Sequence, residues 1–169
     1  MLRVIFFCFA VFCLLVELYA QSAPPLPQRT VSVRSTQALN FGDFSLTSAS
    51  SIGSVIVDFN GVRSATGSVL LLHIGNPAQQ AIFEVKICPG RILSLTYPST
   101  ITLSGSNGGS MLLHIGPTNL GGSGSTFLSN KGCDDLHFIR VGGKIDVTSM
   151  PANPAGLYSG TFSLTFIQQ

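Results

Sequence analysis

Residues 160–166 read Gly-Thr-Phe-Ser-Leu-Thr-Phe, and this stretch decides the class of fold. Phe162, Leu164 and Phe166 alternate with hydroxyl side chains, which is the period of a β-strand with one buried face. The same alternation recurs at residues 54–59. No part of the chain after residue 20 carries a 3.6-residue apolar period, so the sequence predicts an all-β protein.

Short β-rich runs separated by Gly, Ser, Asn and Pro fill the rest of the chain, as in a β-sandwich. The dipeptides Asn60-Gly61 and Gly142-Gly143 predict two-residue hairpin turns between such runs. We predict a single domain over residues 30–169, either an all-β sandwich or a barrel. The predicted strands are Thr30–Val33, Ala38–Leu46, Gly53–Phe59, Gly67–Ile74, Ala81–Ile87, Ile92–Tyr97, Thr100–Leu103, Met111–Ile115, Leu136–Val141, Lys144–Thr148 and Leu157–Ile167.

The N-terminus has the features of a secretory signal peptide over residues 1–20. Arg3 precedes an apolar run, Glu17 interrupts that run before it reaches membrane-spanning length, and Ala20 is a small residue at a plausible cleavage point. Residues 21–29 follow as an extended, Pro-rich leader. Export is therefore expected.

The composition is unusually poor in charge, with 45% hydrophobic and only 9% charged residues. The predicted mature chain, residues 21–169, contains no second long apolar run, so we expect no integral membrane span. Its basic residues are scattered and form no stripe for a phosphate backbone, so we expect no nucleic-acid partner. Neutral polar surfaces enter assemblies without the cost of desolvating charge.

Cysteines 8 and 13 fall in the predicted signal peptide, which leaves Cys88 and Cys133 in the mature chain. Two cysteines in an exported protein most often form one disulfide, and we predict that bond here. A pair of unlinked thiols is the alternative.

The sequence gives little support to catalysis or metal binding. His73, His114 and His137 show no ligand spacing, and we interpret His73 and His114 as strand residues facing solvent or a polar seam. Asp134-Asp135 is interpreted as a solvated loop, because calcium needs more oxygen ligands. No nucleophile elbow, zinc-protease or phosphate-loop motif occurs. We expect no enzyme activity, no catalytic residues, no cofactor and no metal.

Residues 67–75 and 109–116 are similar, each with a Leu-Leu-His-Ile-Gly ending. A duplicated half-domain is one explanation. The flanking residues do not align, so we favour two similar strands of a single sandwich.

Five ordered motifs resemble the bacterial family known as domain of unknown function 4402, over about residues 37–169. They are Leu39–Phe44, the segment Gly53–Val57 with Asn60–Arg63 and Ala65–Gly67, Ala81–Val85 followed by Pro89-Gly90, Val141–Val147, and Gly156–Phe166. The sequence departs from that family at Cys88, which stands where the family has a glycine before Pro-Gly.

That family resembles chaperone-usher pilins and spore-coat U-type proteins in its β-sandwich pattern. The resemblance therefore implies an immunoglobulin-like, pilin-like β-sandwich over residues 30–169. The resemblance implies export in a Gram-negative bacterium through the periplasm to the cell surface. It also implies that the protein is a structural subunit of a fimbria-like or other surface assembly. Its partners would then be further copies of itself or related surface subunits, and a periplasmic chaperone. It brings no catalytic residues.

Strand donation is one way in which such a subunit could polymerise, because an extended segment of one copy adds a strand to the next. The candidate donor is the stretch that ends the leader, where Val31 and Val33 alternate with polar residues. The alternative function is a self-complete secreted adhesion or ligand-binding module.

Overall fold

The computed structural model describes residues 31–50 and 52–169. The predicted signal peptide and leader, residues 1–20 and 21–29, lie outside the described residues. Within the described part of the chain every regular element is a β-strand, and the strands pair antiparallel, which confirms the predicted all-β fold. None of these residues forms a helix with the length and hydrophobicity to cross a bilayer.

The strands follow one another with short connections. They are β1 Ser32–Gln37, β2 Phe44–Leu46, β3 Gly53–Val57, β4 Arg63–Gly67, β5 Val69–Leu71, β6 Ala81–Lys86, β7 Ile92–Thr96, β8 Thr100–Gly105, β9 Ser110–Thr118, β10 Thr126–Leu128, β11 Leu136–Val147, β12 Tyr158–Ser159 and β13 Thr165–Gln168.

The main sheet has eight strands in the order β1-β6-β11-β9-β8-β12, with β3 and β4 continuing from β11. Strand β11 organises this sheet. Its first half pairs with β6 and its second half with β3, while β9 runs along its other edge. Val141 lies between Ala81 and Thr118 at the point where β6 gives way to β3.

Two smaller sheets form the second layer. One has the order β10-β7-β13, and the other is the pair β2-β5. Leu93 and Leu95 of β7 are fully buried against Val85 and Ile139 of the main sheet. Strands β2 and β5 cover Val55, Leu113, Ile145 and other apolar residues at the far end of the main sheet. The molecule is therefore a β-sandwich, whose core is the inward face of each strand.

The predicted hairpin at Gly142-Gly143 is wrong, because β11 runs straight through both glycines. A two-residue hairpin of that type needs positive φ, and neither glycine has it. Gly142 instead permits close strand packing, since a Cβ there would lie 2.5 Å from the carbonyl oxygen of Val57. The register against β9 also shifts between Val141 and Gly143.

The predicted last strand, Leu157–Ile167, is divided between the two layers. Residues 158–159 pair with β8 in the main sheet, and residues 165–168 pair with β7 in the second layer. The chain between them crosses from one sheet to the other without a strand partner among the described residues. Phe162, Leu164 and Phe166 nevertheless all pack on the core, as their alternation predicts.

Strands β3 and β4 pair across Asn60-Gly61 as predicted, but the two-residue turn is wrong, because Asn60 does not have positive φ. The turn is wider than two residues, because Asp58 Oδ1 accepts hydrogen bonds from the amides of Asn60 and Val62, both at 2.8 Å. The two similar segments, residues 67–75 and 109–116, lie in different layers of the sandwich. The first contains β5 of the second layer, and the second contains most of β9 of the main sheet. Strands β4 and β10 were not predicted as strands.

Candidate functional site

A cleft of about 490 Å³ opens into the core from the second layer. One wall is residues 39–46, which include β2, and the other is residues 155–162, which include β12. The floor is the inner face of the main sheet, formed by Leu103, Met111, Leu113, Ile145 and Val147.

The cleft exists because the second layer is incomplete at this end. Strand β2 pairs only with β5 within the described residues, so its opposite edge is open. Residues 160–164 face it and have no strand partner within the part of the chain that the structure describes. In a closed sandwich a further strand would lie between these two walls, and both have the open edges that template strand addition.

The chemistry of the lining is apolar and aromatic. Four residues contribute aromatic rings: Phe41, Phe44, Tyr158 and Phe162. Among the described residues of the lining, Asp43 is the one that carries a charge. Leu157 stands on the wall with 75% of its surface exposed, an unusual position for a leucine unless another molecule covers it.

Arg63 holds the wall that carries β2. Its Nη1 donates a hydrogen bond to the Leu72 carbonyl at 2.9 Å, and its Nη2 donates to the Asp43 carbonyl. Burial lowers the pKa of Arg63 and the Asp43 carboxylate raises it, with a net lowering. The side chain therefore joins the start of β2 to the chain after β5.

Asn153 and Tyr158 hold the opposite wall. The buried Asn153 side chain accepts two hydrogen bonds from Thr148, from its amide and its hydroxyl, each at 2.7 Å, and donates to the Ser110 carbonyl. The Tyr158 hydroxyl donates to the Pro154 carbonyl at 2.7 Å, and burial raises its pKa. Both walls are thus tied to the rest of the fold by side-chain hydrogen bonds.

The candidate donor residues Val31 and Val33 lie away from the cleft, on the edge of the main sheet. Strand β1 pairs with β6 of its own domain, with Val33 opposite the fully buried Val85. Val31 packs on the core, whereas Val33 is 41% exposed. Strand β1 is therefore paired within its own domain, with Val31 on the core and Val33 largely exposed.

The predicted disulfide joins Cys88 and Cys133. Beside it, the buried Ser129 hydroxyl donates to the Ile87 carbonyl at 3.1 Å and lies 3.0 Å from His137 Nε2, which must then be the donor of that second bond. Burial lowers the pKa of His137, Lys131 lowers it further, and Asp135 partly raises it.

The other residues considered for metal binding do not converge. His73 is exposed and outside any strand, whereas His114 lies on β9 beside Asp146. Asp134 and Asp135 are exposed, and Asp135 caps the local turn by accepting the Gly132 amide at 2.9 Å. Over residues 31–50 and 52–169, no three His, Cys, Asp or Glu side chains are grouped to hold a metal ion.

Sequence reasoning missed the cleft. The one sequence feature on this wall is the alternation of Leu39 and Phe41. Both belong to the predicted strand Ala38–Leu46, of which the structure forms only Phe44–Leu46. Asn40, between Leu39 and Phe41, forms an isolated bridge with Gln79, so this stretch is paired only in part.

Residues 31–167 match a protein family described as a domain of unknown function (DUF4402). This match confirms the resemblance drawn from the five motifs. No curated protein and no solved structure matches the chain.

Proposed function

We propose that this chain, which belongs to the DUF4402 family, is an exported structural subunit of a fimbria-like or other surface assembly in a Gram-negative bacterium. Neighbouring subunits are joined when an extended segment of one fills the cleft of the next. The signal peptide directs the chain through the periplasm, where a chaperone covers the cleft until assembly.

The observation that carries this proposal is the gap in the second layer. Its floor is made of core residues such as Leu113 and Ile145, which contribute to the same cluster as the closed parts of the sandwich. These floor side chains are already buried, so an extended occupant would cover the exposed Leu157 on the wall and meet the open edge of β2 with its main chain. Alternate side chains of the occupant would point into the core.

Leu157 offers the sharpest test, because it lies on the cleft wall and is exposed. Leu157→Asp places a charge where the neighbour must dock, which opposes assembly without removing a buried residue. Leu128→Asp is the matched control, since Leu128 is 63% exposed and lies on β10, away from the cleft lining. We expect the processed wild type and the Leu128 variant to form oligomers in sedimentation velocity, and the Leu157 variant to stay a folded monomer.

Oligomers of unchanged size in the Leu157 variant would reject the cleft as the assembly site. A wild type that remains monomeric at all concentrations would favour the alternative, a self-complete adhesion or ligand-binding module. Asn76, an exposed residue of the cleft lining, is the polar side chain that we expect such a ligand to contact.

A further inference from the structure

We propose that the outer side of the main sheet, where β1, β6 and the first half of β11 lie side by side, binds an acidic polysaccharide. This surface is called the basic face below. It is separate from the cleft, whose floor is the inner side of the same sheet. The basic face carries three cations, one carboxylate and one aromatic ring: Arg34, Lys86, Arg140, Glu84 and Phe138.

The centre of the basic face is a row of three side chains on adjacent strands. Glu84 lies directly opposite Arg34 on one side and directly opposite Phe138 on the other. Residues that are directly opposite in antiparallel strands point to the same side of the sheet. Because neighbouring strands are about 4.8 Å apart, the Arg34 and Phe138 positions are separated by about 10 Å across Glu84.

The other two cations lie further along the same strands. Lys86 and Arg140 are each two residues beyond a member of this row, so they share its side of the sheet. The intervening residues Val85 and Ile139 are buried in the core, which makes this side the outer one. The pairing of β1, β6 and β11 therefore gathers cations that are scattered in the sequence.

The positive charge of the basic face is not neutralised by ion pairs. Both ion pairs within the described residues are formed by Asp146, on the second half of β11. The side chains of Arg34, Lys86 and Arg140 form no hydrogen bond or ion pair with any residue in the described part of the chain. Three cations thus stand against the single carboxylate of Glu84, and an anionic partner is the charge complement of this surface.

Phe138 adds an apolar platform among these charges, and it is 47% exposed. The electron-rich face of an aromatic ring attracts the positively polarised C–H groups of a sugar ring. An arginine guanidinium binds a carboxylate through two parallel N–H···O bonds. A polysaccharide of uronic acids offers both groups in every sugar. A membrane surface fits less well, because interfacial binding uses a broad apolar face and the basic face has a single apolar ring.

The test measures the binding of polygalacturonate to the processed full-length protein by isothermal titration calorimetry at low salt. We expect binding that weakens as salt is added, because exposed charges are screened, and no binding of the neutral polymer dextran. Arg34→Gln and Arg140→Gln should each weaken binding about threefold, and the double variant about tenfold, as for the loss of one and two exposed charge pairs. Arg91→Gln is the matched control, because Arg91 is exposed and lies immediately before β7 of the second layer.

Phe138 distinguishes a sugar ligand from one that is merely anionic. Phe138→Ala should weaken polygalacturonate binding about threefold to tenfold, whereas Phe138→Tyr, which keeps the ring, should bind as the wild type does. Polyglutamate carries carboxylates but no sugar rings, so its binding should not respond to Phe138→Ala. Equal effects of Phe138→Ala on the two polymers would overturn the assignment to a polysaccharide. Stronger binding to duplex DNA or to phosphatidylglycerol vesicles than to polygalacturonate would also overturn it.

A wild type that binds neither polygalacturonate nor alginate would overturn the proposal outright. Sedimentation velocity separates this outcome from the proposed function, because the Arg34→Gln/Arg140→Gln variant keeps its cleft and should form the same oligomers as the wild type. Loss of oligomers in that variant, with an unchanged circular dichroism melt, would identify the basic face as a subunit interface and overturn its assignment as a polysaccharide site.

Discussion

His114 and Asp146 lie on neighbouring strands of the main sheet, and His114 Nε2 is 2.6 Å from Asp146 Oδ2. Lys144, directly opposite His114 in the register, contacts the other carboxylate oxygen at 3.0 Å. Burial raises the pKa of Asp146, but the hydrogen bonds and charges of Lys144 and His114 lower it more, so the net direction is downward. The cluster is on the outer face, away from the cleft.

Asp146→Asn should therefore change the pH dependence of stability. A carboxyl group whose pKa is lower in the folded chain stabilises it above the unfolded pKa, and that stability is lost as the pH falls through the folded pKa. Because the Asp146 side chain is 38% exposed, we expect a loss of at most about 1 kcal/mol at pH 7.

Urea unfolding of the wild type and Asp146→Asn at pH 7 and near pH 2.5 measures this difference. The difference should shrink as the pH falls, because protonation of Asp146 removes the charge that distinguishes the two proteins. Asp134→Asn, at an exposed site, should show no comparable gap at either pH. If the difference in free energy of unfolding between the wild type and Asp146→Asn were the same at both pH values, the lowered pKa of Asp146 would be contradicted.

The sequence predicts which faces are buried far better than it predicts which strands are neighbours. Val55 and Val57 are both fully buried, as their alternation indicates, because side-chain direction depends only on the two-residue period. Pairing depends on distant backbone, which alternation does not encode. That is why one predicted strand from Leu157 could be divided between two sheets. It is also why the alternation of Leu39 and Phe41 could not show that β2 has an open edge.

The Cys88–Cys133 disulfide should carry a large part of the stability. The two cysteines are 45 residues apart in sequence, and closing a loop of that order stabilises by about 3–4 kcal/mol in the chain-entropy account. Cys88→Ser, Cys133→Ser and the double variant should lose similar amounts in urea unfolding, since each breaks the same bond. Thiol titration of the unfolded, unreduced mature protein should find no free thiol, and two free thiols would refute the bond.

Gly142→Ala tests why β11 continues where the sequence predicted a turn. The added Cβ would lie 2.5 Å from the Val57 carbonyl oxygen and 2.8 Å from the Asp58 carbonyl carbon, so β3 must move away. We expect a loss of about 1–3 kcal/mol, as for other overpacked interiors. Gly122→Ala is the control, because no other atom lies within 4 Å of its added Cβ and its φ is not positive. Equal stabilities of the two variants in thermal melts would argue against close packing at Gly142.

Leu164 tests the segment that crosses between the layers. It is half-buried and packs against both core clusters, whereas its neighbour Ser163 is exposed. Leu164→Ala removes contacts from both clusters and should lower the free energy of unfolding by about 2 kcal/mol, the lower end for a leucine truncation because the site is partly open. Ser163→Ala should be nearly neutral. Chemical denaturation of both variants measures the difference, and equal losses would mean that residues 160–164 do not keep one face on the core as they cross.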